Sequence, residues 1–492
     1  MKQLGLSAVV GMVMSLLGAC GLPAEPLVPQ DTQLHSSKQQ VLADCPYTTP
    51  VINMDKELVI KDLSVVNDPC RTQFNGSGST ACVAAMRGHW SFGYLVSQLA
   101  GNKGPAETSV FVLNWLRTWE VDQTVNNFSL PARPGITSLV INPWRLKSGC
   151  TETGPCTLDF NQAPFRLLAI VNRIDLSGPS DFYSPNTASP GEVRFVFGFL
   201  NPDKVTDNAS GQGKLNATVI FEYKLSPTRT TFSWASKWHA LGALSLNTEA
   251  YNQALQSITD TMVSFNTLVN PNGTAISQVR TNESAFDTVV PKKWELREQK
   301  LACSGGNCSL VPDTVKLTPQ NSINQTVDLD TYLLTNASAI AREDFSKMPS
   351  HWLGGASHSF PIPQGAHIWD MTGGSSNSNY TLNGGNFDPL NRHLFALSTC
   401  NGCHYAETFT SNFHIPPRSL NVPTAPSSFV GGSSALEPST AAPNQPANYA
   451  SLSDPSETTS TREYNDAWRR KCELQRLLHN VSNPLFRQSG AH

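Results

Sequence analysis

Eleven cysteines constrain this 492-residue chain more than any other residue type. Their positions divide them into three sets. Cys20 closes a short apolar leader. Cys400 and Cys403 bracket Asn401-Gly402 and are followed directly by His404. Eight remain: Cys45, Cys70, Cys82, Cys150, Cys156, Cys303, Cys308 and Cys472. An even remainder in an oxidising compartment reads as disulfides, and cross-links restrict which elements can lie together. Cys150 with Cys156, and Cys303 with Cys308, are natural small loops, each enclosing glycines for the tight return: Gly154, and Gly305 with Gly306. Cys45, Cys70, Cys82 and Cys472 leave two further bridges with the pairing open. The alternative is that some of the eight stay as buried thiols.

The leader supplies the oxidising compartment. Lys2 is its charged start, and Leu4 to Leu17 is a short apolar stretch, too short to span a bilayer comfortably as a permanent helix. It ends in Leu17-Gly18-Ala19-Cys20, which resembles the lipobox of bacterial lipoproteins. The resemblance implies a signal peptide over 1–19 and a lipid on Cys20 as the mature N-terminus. The bland reading is an ordinary secretory signal with an accidental Cys20. Several acyl chains on one residue give a durable membrane anchor, at about 0.8 kcal/mol per buried methylene. Gly21 stands where an Asp would resemble an inner-membrane retention signal. Outer membrane, on its periplasmic or cell-surface side, is therefore the expected location. Residues 20–44 lack apolar periodicity and read as a flexible tether reaching about 25–30 Å.

Charged residues make up 15% of the chain and the net charge is -3. Soluble proteins average about 25% charged. A polar, weakly charged surface of this kind suits an exported protein. It provides no basic footprint, so nucleic-acid binding is set aside.

The expected fold class is α+β, with a helical N-terminal part, a mixed or antiparallel sheet in the middle and a C-terminal helix. The body spans 45–350. Phe92, Leu95, Val96 and Leu99 share one helix face, and Phe111, Val112, Trp115, Leu116 and Trp119 share another, with Thr108 or Ser109 as candidate cap. The Trp115/Trp119 pair reads as core sooner than as a ligand platform. Phe165–Leu176, Val193–Leu200 and Ala217–Leu225 read as an antiparallel meander. Arg166, Arg173, Asp175, Arg194 and Glu222 are candidates to converge on one sheet face, as an ion-pair network sooner than a catalytic cluster. A helix follows around Tyr251, Leu255, Ile258 and Met262. Strands are expected near Ile276–Arg280, Trp294–Leu301 and Ser309–Leu317, and one helix within 327–346 starting at Asp328 or Asp330. Blocks of strands and helices, without strict alternation, argue against a doubly wound sheet.

Residues 351–420 form a loop-rich region dense in His, Gly and Asn, including His351, His358, His367, His393, His404 and His414. Residues 421–460 are a low-complexity surface segment. Residues 461–492 hold the C-terminal helix, from about Arg462 to Asn480, with Tyr464, Trp468, Cys472 and Leu478 on its buried face. A disulfide from Cys472 to the N-terminal region would pin it to the body.

Cys400-Asn401-Gly402-Cys403-His404 carries the chemistry. Cys-x-x-Cys-His is the attachment signature of haem c. Two intervening residues place both sulfurs on one edge of a porphyrin, small Gly402 lets the backbone turn closely, and His404 follows as proximal iron ligand. Attachment takes place outside the cytoplasm, a condition that the leader meets independently. The five residues resemble c-type cytochromes, which implies one covalent haem c held by Cys400, Cys403 and His404. Small cytochromes often add a downstream Met, but here none follows Met371. His414 is the first candidate for the sixth ligand; Met371, His367 and His393 are less favoured. Three alternatives stay open: a Cys400–Cys403 disulfide; a tetrahedral zinc site of Cys400, Cys403 and two of His393, His404 and His414; and a thioredoxin-like dithiol, whose βαβ setting is missing.

Three stretches, Phe165 to Asp175, Gly191 to Gly198 and Thr399 to His404, give the mature chain a wider resemblance to proteobacterial lipoproteins carrying a similar cysteine motif. That resemblance supplies no activity. No serine-hydrolase elbow, zinc-protease helix or P-loop is present. The expected function is a membrane-anchored haem c lipoprotein in electron transfer or haem-based redox chemistry, with a redox partner protein. The alternative is a non-enzymatic binding lipoprotein with a disulfide or metal site at Cys400 and Cys403.

Overall fold

Alternating and apolar runs in the middle of the chain become one sheet in the computed structural model, which describes residues 45–75, 82, 88–177, 189–204, 213–225, 230–266, 272–341, 344–358, 368–372, 381–382, 385–386, 389–408, 410, 412–432, 450–454 and 457–481. The leader, Cys20, the tether, His367 and residues 433–449 lie outside the described residues, so the expectations placed on them do too. In chain order the strands are β1 (Val59–Ile60), β2 (Gln123–Val125), β3 (Phe128–Leu130), β4 (Phe165–Arg173), β5 (Glu192–Leu200), β6 (Lys214–Lys224), β7 (Ile276–Glu283), β8 (Glu295–Ser304), β9 (Asn307–Asp313), β10 (Ala356–His358), β11 (Thr381–Leu382), β12 (Gly385–Asn386), β13 (Ala450–Asp454) and β14 (Glu457–Tyr464). Eight of them form one sheet in the order β1-β4-β5-β6-β7-β8-β10, with β9 paired to β8. All of its pairings are antiparallel. The fold class is α+β, and the middle sheet is antiparallel rather than mixed.

Each strand residue points to the opposite face from its neighbours, so register decides which side chains meet. On one face Ile170, Phe195, Phe221 and Val279 form a cross-strand row. Helices cover this face. The helix Phe92–Leu99 is capped by Ser91, whose Oγ accepts from the Tyr94 amide at 3.1 Å. It sets Phe92 flat on Phe165, with ring centroids 3.6 Å apart, and edge-on to Phe197 and Phe221. Each such ring, fully buried, stabilises by about 1.5–3 kcal/mol. Trp115 and Trp119 are both buried and pack edge-to-face at 5.6 Å, as core residues.

Three local expectations shift. The second helix starts at Pro105, with Gly104 as cap, because proline fits the first helical turn. Ser109 lies inside it and accepts from the Leu158 amide at 2.8 Å. The segment at 327–346 is two helices, Val327–Thr335 and Ala337–Ile340, parted at Asn336. Thr326, not Asp328 or Asp330, caps the first. Tyr464 ends β14, and the C-terminal helix runs Asp466–Leu478, because Asn465 caps it by accepting from the Trp468 amide at 2.9 Å.

All eight cysteines of the remainder are bridged: Cys45–Cys472, Cys70–Cys82, Cys150–Cys156 and Cys303–Cys308. The first ties the C-terminal helix to the start of the body. Among the described residues, no helix is long and apolar enough to cross a membrane.

Candidate cofactor cavity beside Cys400 to His404

The second sheet face has a different composition. Its register rows are Val171–Arg194–Glu222–Gln278, Val196–Ile220–Arg280–Glu298 and Gly198–Thr218–Asn282–Leu296. Strand alternation therefore delivers a mixed floor, with Val171 beside Arg194 and Ile220 beside Arg280. His404, residues 414–430 and the C-terminal helix lie over it. A cavity lies between, lined by the apolar Val59, Val171, Val196, Ile220, Ile415 and Val430, by His404 and His414, and by the charged Arg173, Arg194, Glu222, Arg280, Asp466 and Arg470.

Residues 400–404 are helical, contrary to the expected loop. The helix Pro389–Leu397 leads into a wide turn, Gly402–Ala406, closed by the Glu407 amide donating to Gly402 O at 2.9 Å. Gly402 is obligatory: a Cβ there would stand 1.9 Å from Ala396 O. Cys400 packs with Trp294, Leu296 and Val315, and Cys403 with Leu397, Phe429, Val430 and Tyr464. Leu296, Phe429 and Val430 also line the cavity, so each cysteine lies behind one of its walls. Both are fully buried thiols rather than a disulfide. Burial pushes both thiols up, Cys403 furthest, where the neighbouring Cys400 adds to it.

His404 is held for a single role. Its Nδ1 lies 2.9 Å from Asn412 O, an acceptor, so Nδ1 carries the proton. Burial pushes the ring down to about 4, and the neutral imidazole then keeps its lone pair on Nε2. Asn282 Nδ2 donates to the same carbonyl at 3.0 Å, and Asn412 adopts φ 69°, a left-handed conformation that asparagine tolerates. Trp294 stacks on the imidazole with centroids 5.6 Å apart. A backbone carbonyl on Nδ1 and a bare Nε2 is how proteins orient histidine ligands of metals.

The other candidate ligands are placed differently. The His414 ring lies 4.3 Å from that of His404, tilted by 52°, with Nε2 3.1 Å from Cys403 Sγ and Nδ1 2.8 Å from Ser427 Oγ. Metal–imidazole bonds of about 2 Å would hold two opposed rings further apart than this. His404 and His414 as placed are not a bis-histidine pair. His393 is spanned by Glu407 at 2.6 Å on Nδ1 and the Tyr464 hydroxyl at 2.7 Å on Nε2. Met371 is buried in a separate cluster with Trp369 and Phe395. Among the described residues, no three His, Cys, Asp or Glu side chains surround a common metal position, so the tetrahedral zinc set is not assembled. His351 is exposed, and His358 pairs with Glu295 at 3.2 Å, away from the cavity.

Arg173, Asp175, Arg194 and Glu222 do converge. Arg173 donates twice to Asp175, at 2.9 and 2.8 Å, and Arg469 joins it at 2.8 Å. Arg469 also holds Asp466 at 2.7 Å, and Arg470 pairs with Asp466 as well. Arg194 and Arg280 stand 3.3 and 3.5 Å from Glu222, and Arg280 donates to Glu298 at 3.1 Å. Burial opposes ionisation of Asp175, but Arg173, Arg469 and Arg470 outweigh it and hold the carboxyl well below its ordinary range. Arg166 stays apart and donates to Arg418 O at 3.2 Å. Sequence reasoning missed Arg280, Asn282, Arg469 and Arg470. Their signals were the alternation Gln278-Arg280-Asn282 and the i, i+3, i+4 spacing of Asp466, Arg469 and Arg470.

The donors of a haem c are only partly gathered here: His404 lines the cavity, whereas Cys400 and Cys403 are buried behind its walls and do not line it. Arg173 Nη1 is buried there with no hydrogen-bond partner. The chain matches no family model, no curated protein and no solved structure.

Proposed function

We propose that this chain is a lipid-anchored redox protein of the outer membrane that carries one haem c in the cavity beside Cys400 to His404. The observation that carries this reading is the setting of His404: Nδ1 committed to Asn412 O, burial pushing the ring down to about 4, and the ring lining a cavity with both apolar and charged walls. Cys400 and Cys403 would hold the group covalently, and His404 would ligate it. When bound, it supplies a one-electron couple and, where the sixth position is open, a place for a small ligand. The chain's own residues orient His404 through Asn412, Asn282 and Trp294. They exclude water with Val171, Val196, Ile220 and Val430. They set the local field with the arginines of β4, β5 and β7.

Support for the compartment comes from the leader, the lipobox-like Leu17-Gly18-Ala19-Cys20 and the four disulfides. A redox partner protein is part of this reading. The test is co-expression with a c-type maturation system, denaturation, and measurement of covalent haem by mass and pyridine haemochrome absorbance. One haem per chain is expected. No covalent haem, under conditions that load a control cytochrome, would overturn the proposal.

A further inference from the structure

A second cleft, apart from Cys400 to His404, lies between the short helix Met54–Glu57 and the helix Thr231–Ala240. Val51, Ala240 and Ala243 line it with apolar surface, and Lys56, Glu57 and His239 bring charge to it. Glu57 is fully buried and both of its oxygens are taken. Oε1 accepts from the Asn53 amide at 2.8 Å, and Oε2 lies 2.9 Å from His239 Nδ1. Gly242 makes this approach possible, because a Cβ there would run into Glu57 Oε1. With Nδ1 committed to the carboxylate, Nε2 is the nitrogen left for a ligand. The His239 side chain is 31% exposed and lines the cleft, so the ring can be reached from solvent.

Lys56 Nζ donates to Gly242 O at 3.2 Å and to Leu244 O at 2.6 Å. An ammonium has three donors, so one remains, and neither acceptor carries charge. Asp55, the other carboxylate of the short helix, is paired with Lys61 at 3.0 Å. The hydrogen bond to Glu57 pushes the His239 ring up, against burial, and burial pushes Glu57 up as well. Whether the shared proton sits on Nδ1 or on the carboxyl, Nε2 carries its own proton and Lys56 leaves the lining one charge positive.

We propose that this cleft binds a small organic acid. The ligand's carboxylate accepts from His239 Nε2 and Lys56 Nζ, and its short apolar body lies against Val51, Ala240 and Ala243. Charge-assisted hydrogen bonds are about twice as strong as neutral ones, which makes charge the basis of selection. The site shares no lining residue with the cavity beside His404 and does not depend on the haem reading.

The test uses the full chain with 15N-labelled histidines at about pH 6, below the ordinary histidine value of 6.5. The His239 signal is assigned as the one that His239→Gln removes. Two probes are titrated: butyrate, and butyramide, which has the same size without the charge. Butyrate is expected to shift the His239 signal saturably and to bind at least ~10-fold more tightly than butyramide. Lys56→Gln should weaken butyrate about 10-fold and leave butyramide unchanged. Ala240→Asp, which adds a carboxylate on exposed helix surface, should weaken butyrate too while keeping the wild-type thermal unfolding. Equal binding of the two probes, no saturable shift, a shift that sodium chloride reproduces, or a butyrate affinity untouched by both substitutions overturns the site.

Discussion

At the scale of single residues, a hydrogen bond to Asn412 O separates His404 from the four other described histidines of residues 351–414, His351, His358, His393 and His414. His414 belongs to the same cavity, yet its nitrogens face Ser427 Oγ and Cys403 Sγ. The two histidines should therefore behave differently. In the matured protein, His414→Ala should keep both the covalent haem mass and the wild-type iron spectrum. His404→Ala should keep the thioether-linked mass but lose the histidine–iron stretch in resonance Raman. A spin-state change in His414→Ala as large as that in His404→Ala would restore His414 as an axial ligand and require its ring to turn away from Cys403. The motif showed Cys400, Cys403 and His404 in the sequence, because its spacing is local. Asn412, Asn282 and Trp294 were not visible, because their roles depend on a left-handed φ and on strands that meet only in the fold.

At the scale of elements, the C-terminal helix is where covalent and ionic constraints meet. Cys45–Cys472 joins residues 427 positions apart, and Trp468 packs beside the bridge. The same helix carries Asp466, Arg469 and Arg470 to Asp175. Bridges of this kind stabilise by about 2–5 kcal/mol, mainly by restricting the unfolded chain. Cys45→Ala with Cys472→Ala should lower the unfolding free energy by that order in urea titrations. It should also raise amide exchange across Asp466–Leu478 more than in β4–β7, because the bridge anchors the helix directly while the strands are held by their own ladders. Unchanged exchange in the helix would show that its ion pairs suffice to hold it. The helix and the meander were legible from apolar periodicity and turn residues. The boundaries were not, because Asn465 and Pro105 set them through caps that compete with neighbouring signals.

At the scale of the whole molecule, buried charge ties global stability to pH. Beyond the cavity, the sheet's far end holds Glu283 and Glu295 around Arg133, at 3.0 and 3.2 Å, with Arg297 on Glu295 at 2.5 Å. Burial pushes Glu283 up to about 7 from an ordinary 4.5; Glu295 adds to this, while Arg133 and the Phe286 amide oppose it. Between those values the folded chain keeps a proton that the unfolded chain has released. The stability contributed by this group is thus fully present below 4.5 and is lost as pH rises through 7. Each tenfold change in proton affinity is worth about 1.4 kcal/mol, so the loss is about 3 kcal/mol before relaxation reduces it. His358, beside Glu295, works in the opposite sense: burial holds its ring below the ordinary 6.5, so its contribution falls as pH drops below that value. The two opposed slopes are separable by substitution. Glu283→Gln cannot ionise, and its unfolding free energy should lose the decline between pH 4.5 and 7 that the wild type shows, leaving the acid-side slope from His358 intact. Parallel stability profiles for the two proteins across that window would mean that Glu283 is ionised in the folded chain and that the ion pair with Arg133 outweighs burial.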